Sequence, residues 1–325
     1  MTESRKEKLA GALVSLPTFT DNNLNLDVTK QRKHIRWLVD QGIVGDAGVI
    51  MVAGGYGEGY YLNDTELYTL IDVLMDEVGG KIPTMVGIFD LNVRKVARRA
   101  KYAADAGIDF LELGLPHYSC PSEDDVFVFT KFINDNVDIG IMNYNNFWAT
   151  PPPGFEITRD LMERMTELEN VVGFKWSSSN MAHYVGMLRL FKDEFAFMDN
   201  AMTNSLGTRH GMKGFVDFYG NVAPRLSLKK LELINQKKYD ELDDLLYRVH
   251  FDAENTLNRS DSPTFSSVAD GVYGRLRWRL MGLETGLNFP AQAQPSAEYV
   301  EHTKKVIESS HIMEWVDCDQ SILDQ

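Results

Sequence analysis

Apolar, β-branched runs recur along the chain at residues 13–19, 47–54, 84–89, 110–116, 139–145, 171–177, 195–200 and 214–222. Most are nearly continuous in hydrophobicity. That is the pattern of parallel strands covered by helices on one side and by packed side chains on the other. Helical patterns separate them. Val93, Val96, Ala97, Ala100 and Ala104 fall on one helical face before Gly107, and glycine is a natural stop there. Another helix is predicted to start at Asn63-Asp64-Thr65-Glu66, where Asn63 caps and Glu66 bonds back. Eight strand–helix units predict a (β/α)8 TIM barrel rather than a doubly wound sheet, because no phosphate-binding glycine fingerprint follows the first strand. From Pro224 the pattern is helical, over 226–236, 239–257, 268–282 and 296–309, with a polar break at 259–263. The expected organisation is a catalytic barrel over 1–225 and a C-terminal helical domain over 226–325.

Charge narrows the partners. A formal net charge of −14 and a pI near 5.0 argue against nucleic acid or an anionic membrane surface, both of which need clustered Lys and Arg. Arg94-Lys95 and Arg98-Arg99 are read as a solvated helix face. The N-terminus is polar and its first apolar run is broken by Pro17, so neither a signal peptide nor a membrane span is expected, and the chain is expected to be cytoplasmic. Cys120 and Cys318 supply no disulfide framework and no zinc spacing, so no metal and no cofactor is expected.

In such a barrel the reactive groups stand at the C-terminal ends of the strands. Lys175 lies in Val171-Val172-Gly173-Phe174-Lys175-Trp176-Ser177, where alternation sends Phe174 and Trp176 to the helices and Lys175 into the barrel. A lysine there must be paired or neutral, and the neutral amine is the form that attacks a carbonyl. Gly173 is expected to leave room for substrate. The plainer alternative is a structural ion pair between Lys175 and Glu112 or Asp199. At the end of the second strand, Gly54-Gly55-Tyr56-Gly57-Glu58-Gly59 allows close backbone approach to a carboxylate, or is simply a tight turn. Tyr118 and Tyr144, near the ends of the fourth and fifth strands, are phenols that could relay protons.

These pieces, in this order, resemble the dihydrodipicolinate synthase/N-acetylneuraminate lyase family. Gly54–Glu58 is similar to its glycine-flanked Thr-Thr-Gly-Glu turn, Pro116-His117-Tyr118 to its Pro-Tyr-Tyr, and Tyr144-Asn145 to its Tyr-Asn. Val172-Gly173-Phe174-Lys175 is similar to its Ile-Gly-Ile-Lys, and the stretch 214–224 to its segment ending in Asn-Val-Ala-Pro. The resemblance implies that Lys175 forms an imine with a 2-oxo acid such as pyruvate and that Tyr144 shuttles a proton. It also implies that Tyr118 reaches a neighbouring subunit across a tight dimer interface within a homotetramer. Gly55, Tyr56, Ser177, Asp199 and Val216 would face the substrate, and Glu58 would buttress the turn.

The chain departs from the family in two places. Gly55 and Tyr56 stand where the family has a hydroxyl pair that holds the pyruvyl carboxylate. Ala149 stands where the synthases have the arginine that holds aspartate semialdehyde. Phe147, Trp148 and Pro151-Pro152-Pro153 instead suggest an aromatic pocket or a subunit interface, with Ser177 and Asn146 available to substrate hydroxyls. The expected function is a Schiff-base lyase of aldolase type that is not dihydrodipicolinate synthase itself. The alternatives are a dehydratase or deaminase of a 2-oxo-3-deoxy sugar acid using the same imine, and a non-catalytic binding protein on a decayed barrel. A metal-dependent lyase is disfavoured, because no strand end offers histidine at ligand spacing.

Overall fold

The structure, a computed structural model, describes residues 2–147, 149, 155–257, 262–263, 270–319 and 321–324. Trp148 and Pro151-Pro152-Pro153 of the aromatic loop therefore lie outside the described residues. Eight parallel strands close into a barrel in chain order. They are β1 Gly11–Ser15, β2 Gly48–Val52, β3 Thr84–Ile88, β4 Phe110–Leu113, β5 Gly140–Asn145, β6 Val171–Trp176, β7 Ala196–Asp199 and β8 Gly214–Val216. Each overlaps one of the apolar runs. β1 ends early because Leu16 donates its amide to the Met51 carbonyl and Pro17 then has no N–H to extend the ladder. β8 stops at Val216, and the chain coils through a short turn at Tyr219–Asn221 instead of running extended to residue 222.

The helices form where the periodicity placed them. Asp64–Val78 opens on a complete capping box, in which the Asn63 side chain accepts from the Glu66 amide and the Glu66 carboxylate accepts from the Asn63 amide. Val93–Ala106 ends at Gly107, whose φ of 92° lies in the left-handed region that favours glycine. Arg99 corrects the reading of a wholly solvated basic face. It falls at helical spacing with the buried Val96, Ala100 and Ala103 and is 1% exposed. Its guanidinium is satisfied at 2.7 Å by Asp64 and at 2.9 Å by the Leu62 carbonyl.

Inside the barrel, Leu13, Val49, Met51, Met85, Phe110, Met142 and Met198 form one packed cluster, with Leu9 inserted among them from the end of the N-terminal helix Thr2–Lys8. Gly173 serves this plug. A Cβ there would come within 2.6 Å of the Leu9 side chain and of the Ala196 carbonyl, so the space expected for a substrate belongs to Leu9.

After β8 come helices Pro224–Asn235, Tyr239–Leu246, Asp252–Leu257, Asp270–Leu280 and Ala297–Ser309. Trp278, Met281, Ile307 and Ile312 from these segments share one buried cluster with Phe19, Phe218 and Val222 at the rim of the barrel. The helices thus pack onto the end of the barrel where the strands finish. Among the described residues no helix is long and apolar enough to cross a membrane.

Candidate active site

The β6 register sets Lys175 beside Tyr144 of β5 and Met198 of β7. Phe174 and Trp176 pack outward, against Phe195 and Tyr184 respectively, so Lys175 points into the barrel and is 2% exposed. Its Nζ lies 3.0 Å from Oε1 of Glu112 on β4 and 4.0 Å over the centre of the Tyr144 ring. Glu112 is fully buried, and its Oε2 has no hydrogen-bond partner among the described residues. The ion pair set out as an alternative role for Lys175 is therefore formed, with Glu112 and not with Asp199. Such a pair does not exclude reactivity. If the ammonium passes its proton to the carboxylate, both groups become neutral with no change in net charge, and a dry cavity does not oppose that exchange.

Tyr144 is buried, and its hydroxyl accepts a hydrogen bond from Asn200 at 3.1 Å. The same amide nitrogen donates to Ser177 Oγ at 2.6 Å. Burial pushes the Tyr144 phenol well above its usual range, the Asp270 and Glu112 carboxylates push the same way, and a hydrogen bond with Ser177 opposes them. Tyr144 therefore keeps its proton at neutral pH and is a donor first.

Asp199 is turned away from this cluster. On β7 it lies in register with the outward-facing Trp176. Its carboxylate accepts from the Ala201 amide at 2.8 Å, the Thr203 amide at 2.9 Å and the Asn204 side chain at 2.7 Å. Asn200, one residue on and of opposite parity, is the group that reaches Tyr144 and Ser177. Counting inward positions along β7 from Met198 would have found it.

The glycine turn after β2 is tightly occupied. A side chain on Gly55 would overlap Oδ2 of Asp270, the first residue of helix Asp270–Leu280. A Cβ on Gly54 would stand 2.9 Å from the Ser15 hydroxyl, which is buried without a hydrogen-bond partner among the described residues. Tyr56 is half-buried, its ring 5.2 Å from Phe218 and 5.8 Å from Trp278. Burial raises its phenol well above the ordinary value, and Asp270 adds to the effect. Neither Ser15 nor Asp270 was singled out in the sequence, since Asp270 lies far along the chain and nothing local marks it.

Helix Asp270–Leu280 is locked onto this turn. Arg275 donates from Nε to Glu58 Oε2 at 2.7 Å, with Nη2 in ion-pair contact with the same oxygen at 2.7 Å, and also donates to the carbonyls of Thr285 at 2.6 Å and Thr18 at 2.9 Å. Glu58 and Arg275 are both buried, and a side chain on Gly271 would collide with Glu58.

The remaining sequence candidates lie at the edges. Val216 ends β8 and packs on the interior cluster. Tyr118, in the short turn His117–Ser119, is 82% exposed and does not join the Lys175 cluster within one chain. Asn146 accepts from the Ala149 amide at 3.2 Å, and Arg159 is spent on Glu163 at 2.7 Å in an exposed pair. A surface cleft lined by Lys8, Gly48, Thr84 and Asp109 opens at the opposite end of the strands and holds none of these groups. Among the described residues, no group of three or more His, Cys, Asp or Glu is placed to hold a metal ion.

The model of the dihydrodipicolinate synthetase family matches residues 8–247. The 4-hydroxy-tetrahydrodipicolinate synthase of Methylobacterium radiotolerans is 29% identical over 228 residues, which cover 70% of this chain and 73% of the relative. The fold is shared with the dihydrodipicolinate synthase of Acinetobacter baumannii solved with pyruvate, at a TM-score of 0.80 and 19% identity over 93% of this chain and 98% of the other. It is shared too with a catalytic lysine mutant of the Ruminococcus gnavus sialic acid aldolase, at a TM-score of 0.77 and 19% identity over 93% and 96%.

The Glu58–Arg275 clamp generates a stability prediction. Arg275→Met strands a buried carboxylate and should cost about 3–5 kcal/mol in denaturant unfolding at neutral pH. Burial already raises the Glu58 carboxyl while Arg275 lowers it, so removing Arg275 raises it further. The folded variant then holds a proton that the unfolded chain releases, so the deficit should shrink as the pH falls. A loss below about 1 kcal/mol, or one independent of pH, would show that the clamp is not needed.

Proposed function

The chain belongs to the dihydrodipicolinate synthetase family, and from that premise we propose that it is a lyase forming a Schiff base between Lys175 and a 2-oxo acid such as pyruvate. The observation that carries this reading is Lys175 itself, 2% exposed at a barrel strand end, 3.0 Å from a buried carboxylate and stacked on a phenol. The pyruvate bound in the Acinetobacter baumannii enzyme and the catalytic lysine of the Ruminococcus gnavus aldolase support it.

Glu112 takes the proton from the Lys175 ammonium, and the freed amine attacks the C2 carbonyl. Tyr144 protonates the oxygen of the resulting carbinolamine, water leaves, and the imine draws electrons from C3. The Tyr144 phenolate left by that transfer takes a C3 proton, giving an enamine that adds to an aldehyde. In reverse, the C3–C4 bond of an adduct breaks and the enamine is released as the 2-oxo acid. Asn200 and Ser177 hold the Tyr144 hydroxyl for these transfers. The backbone at Gly55 and Tyr56, with Val216, borders the substrate. Borohydride with pyruvate should fix one adduct on the peptide carrying Lys175, seen by intact mass and peptide mapping, and Lys175→Ala should abolish it. An adduct that persists in K175A sinks the mechanism.

The second carbonyl partner is not aspartate semialdehyde. Its carboxylate calls for a bidentate arginine, but Ala149 stands in the loop after β5 and Arg159 is paired to Glu163 on the exposed side of helix Arg159–Met165. Aromatic side chains such as Phe147 and Tyr56 would favour a partner that buries apolar surface, at about 25 cal/mol per Å². In a steady-state panel, a bulkier aromatic or hydroxylated aldehyde, or its 2-oxo acid adduct, should give a higher kcat/KM than aspartate semialdehyde with pyruvate. The opposite ranking rejects this assignment.

The working unit is a homotetramer of tight dimers in which Tyr118 meets a neighbour's Tyr144. An 82% exposed tyrosine beside the end of β4 supports that role, since aromatic residues are enriched at interfaces. Sedimentation at micromolar concentration should give four times the 36.8 kDa chain mass, and a monomer there would count against it.

A further inference from the structure

The buried site does not balance in charge once a 2-oxo acid enters it. Lys175 supplies one positive charge and already holds Glu112 at 3.0 Å. Asp270 is a second carboxyl close enough to act on the same groups, its Oδ2 seated where a side chain on Gly55 would be. It acts on Lys175, Glu112 and Tyr144 through space. A 2-oxo acid would bring a third carboxylate to this one cation. Two carboxyls that share a cation in a low-dielectric space do not both stay ionised, and the one farther from the cation takes up a proton.

Among the described residues, the groups around Asp270 leave it no other counter-charge. Among these residues Lys175 is the cation that acts on it, and Glu112 opposes that influence. Tyr56, Tyr60 and Tyr144 are phenols that burial holds in the neutral form. Arg275, on the same helix, is committed to Glu58 and two backbone carbonyls. Burial itself pushes the Asp270 carboxyl upward, and the pull of Lys175 only partly offsets this.

We propose that Asp270 is a specificity-determining residue that works as a neutral carboxylic acid, donating a hydrogen bond from the glycine turn to the carboxylate of the bound 2-oxo acid. Gly55 is the complementary half of the device, because any side chain there would expel the acid from the turn. Binding is then coupled to one proton. Where Asp270 is ionised in the free protein, the substrate must bring in a proton to bind, and where it is already protonated no such cost arises. This assignment rests on the imine reading of Lys175, and its test keeps the two apart.

The measurement is the pyruvate concentration giving half-maximal borohydride-trapped adduct, followed across pH for the wild type and for Asp270→Asn, whose amide can donate but cannot ionise. The ratio of wild type to D270N cancels titration of the Lys175–Glu112 pair, which both proteins share. It should rise with pH, approaching roughly tenfold for each unit once Asp270 is ionised. A ratio that stays flat overturns the proposal. Gly55→Ala gives an independent reading. Its methyl displaces the acid, so its pH dependence should be weaker than that of the wild type, and G55A behaving as wild type would equally overturn it. If D270N does not fold, the G55A comparison decides alone. If the wild type gives no adduct at any pH, the imine reading fails. Calorimetric affinity for pyruvate, measured across pH in the same proteins, then supplies the ratio in place of trapping.

Discussion

A lysine closed inside a barrel of methionine, leucine and phenylalanine has to be neutralised, and most of the site can be traced to that requirement. Lys175 is held by Glu112, itself fully buried and also reached only from within the barrel. The pair is neutral as a whole, so it can sit above the packed layer formed by Leu9, Met142 and Met198 without an unanswered charge. Tyr144 adds its ring face to the cation and its hydroxyl to the Ser177–Asn200 network. What results is a lysine with a carboxylate beside it to take its proton, next to a phenol that keeps its own.

A second buried pair determines what covers this chamber. Glu58 and Arg275 hold helix Asp270–Leu280 against the glycine turn, and two more bonds from Arg275 reach the chain after β1 and the loop after the helix. The guanidinium thus ties three segments together through one planar group, a task that lysine could not perform. Because Asp270 opens that helix, the same clamp fixes where its carboxyl lies. Breaking the clamp would loosen a pocket wall as well as lower stability.

The architecture was legible in the sequence because it rests on local signals. Nearly continuous apolar runs gave the strands, Asn63 with Glu66 and Gly107 marked helix ends, and alternation in β6 pointed Lys175 inward. Long-range packing was less readable. Arg99 looked solvated because charge usually is, yet its spacing with Val96 and Ala103 put it on the buried stripe, with Asp64 waiting. Gly173 seemed to open the site, but a plug from the start of the chain fills that space. Asp199 and Asn200 differ only in parity, and the inward position of Met198 was the signal that separates them. Asp270 had no local mark at all, because its meaning comes from the absence of a side chain at Gly55, on the far side of the barrel's sequence.

The helix that begins at Asp270 gives the fold a division of labour. The barrel strands carry Lys175, Glu112 and Tyr144, the groups to which we assign bond making. The lid contributed by the later helices carries Asp270, Trp278 and the Arg275 latch, which shape what may approach. Changes in that late segment can therefore retune the chamber while the strand residues stay as they are. Inheritance could exchange one lid for another and obtain a new substrate preference from an unaltered engine, provided that the glycine turn and its latch changed in step.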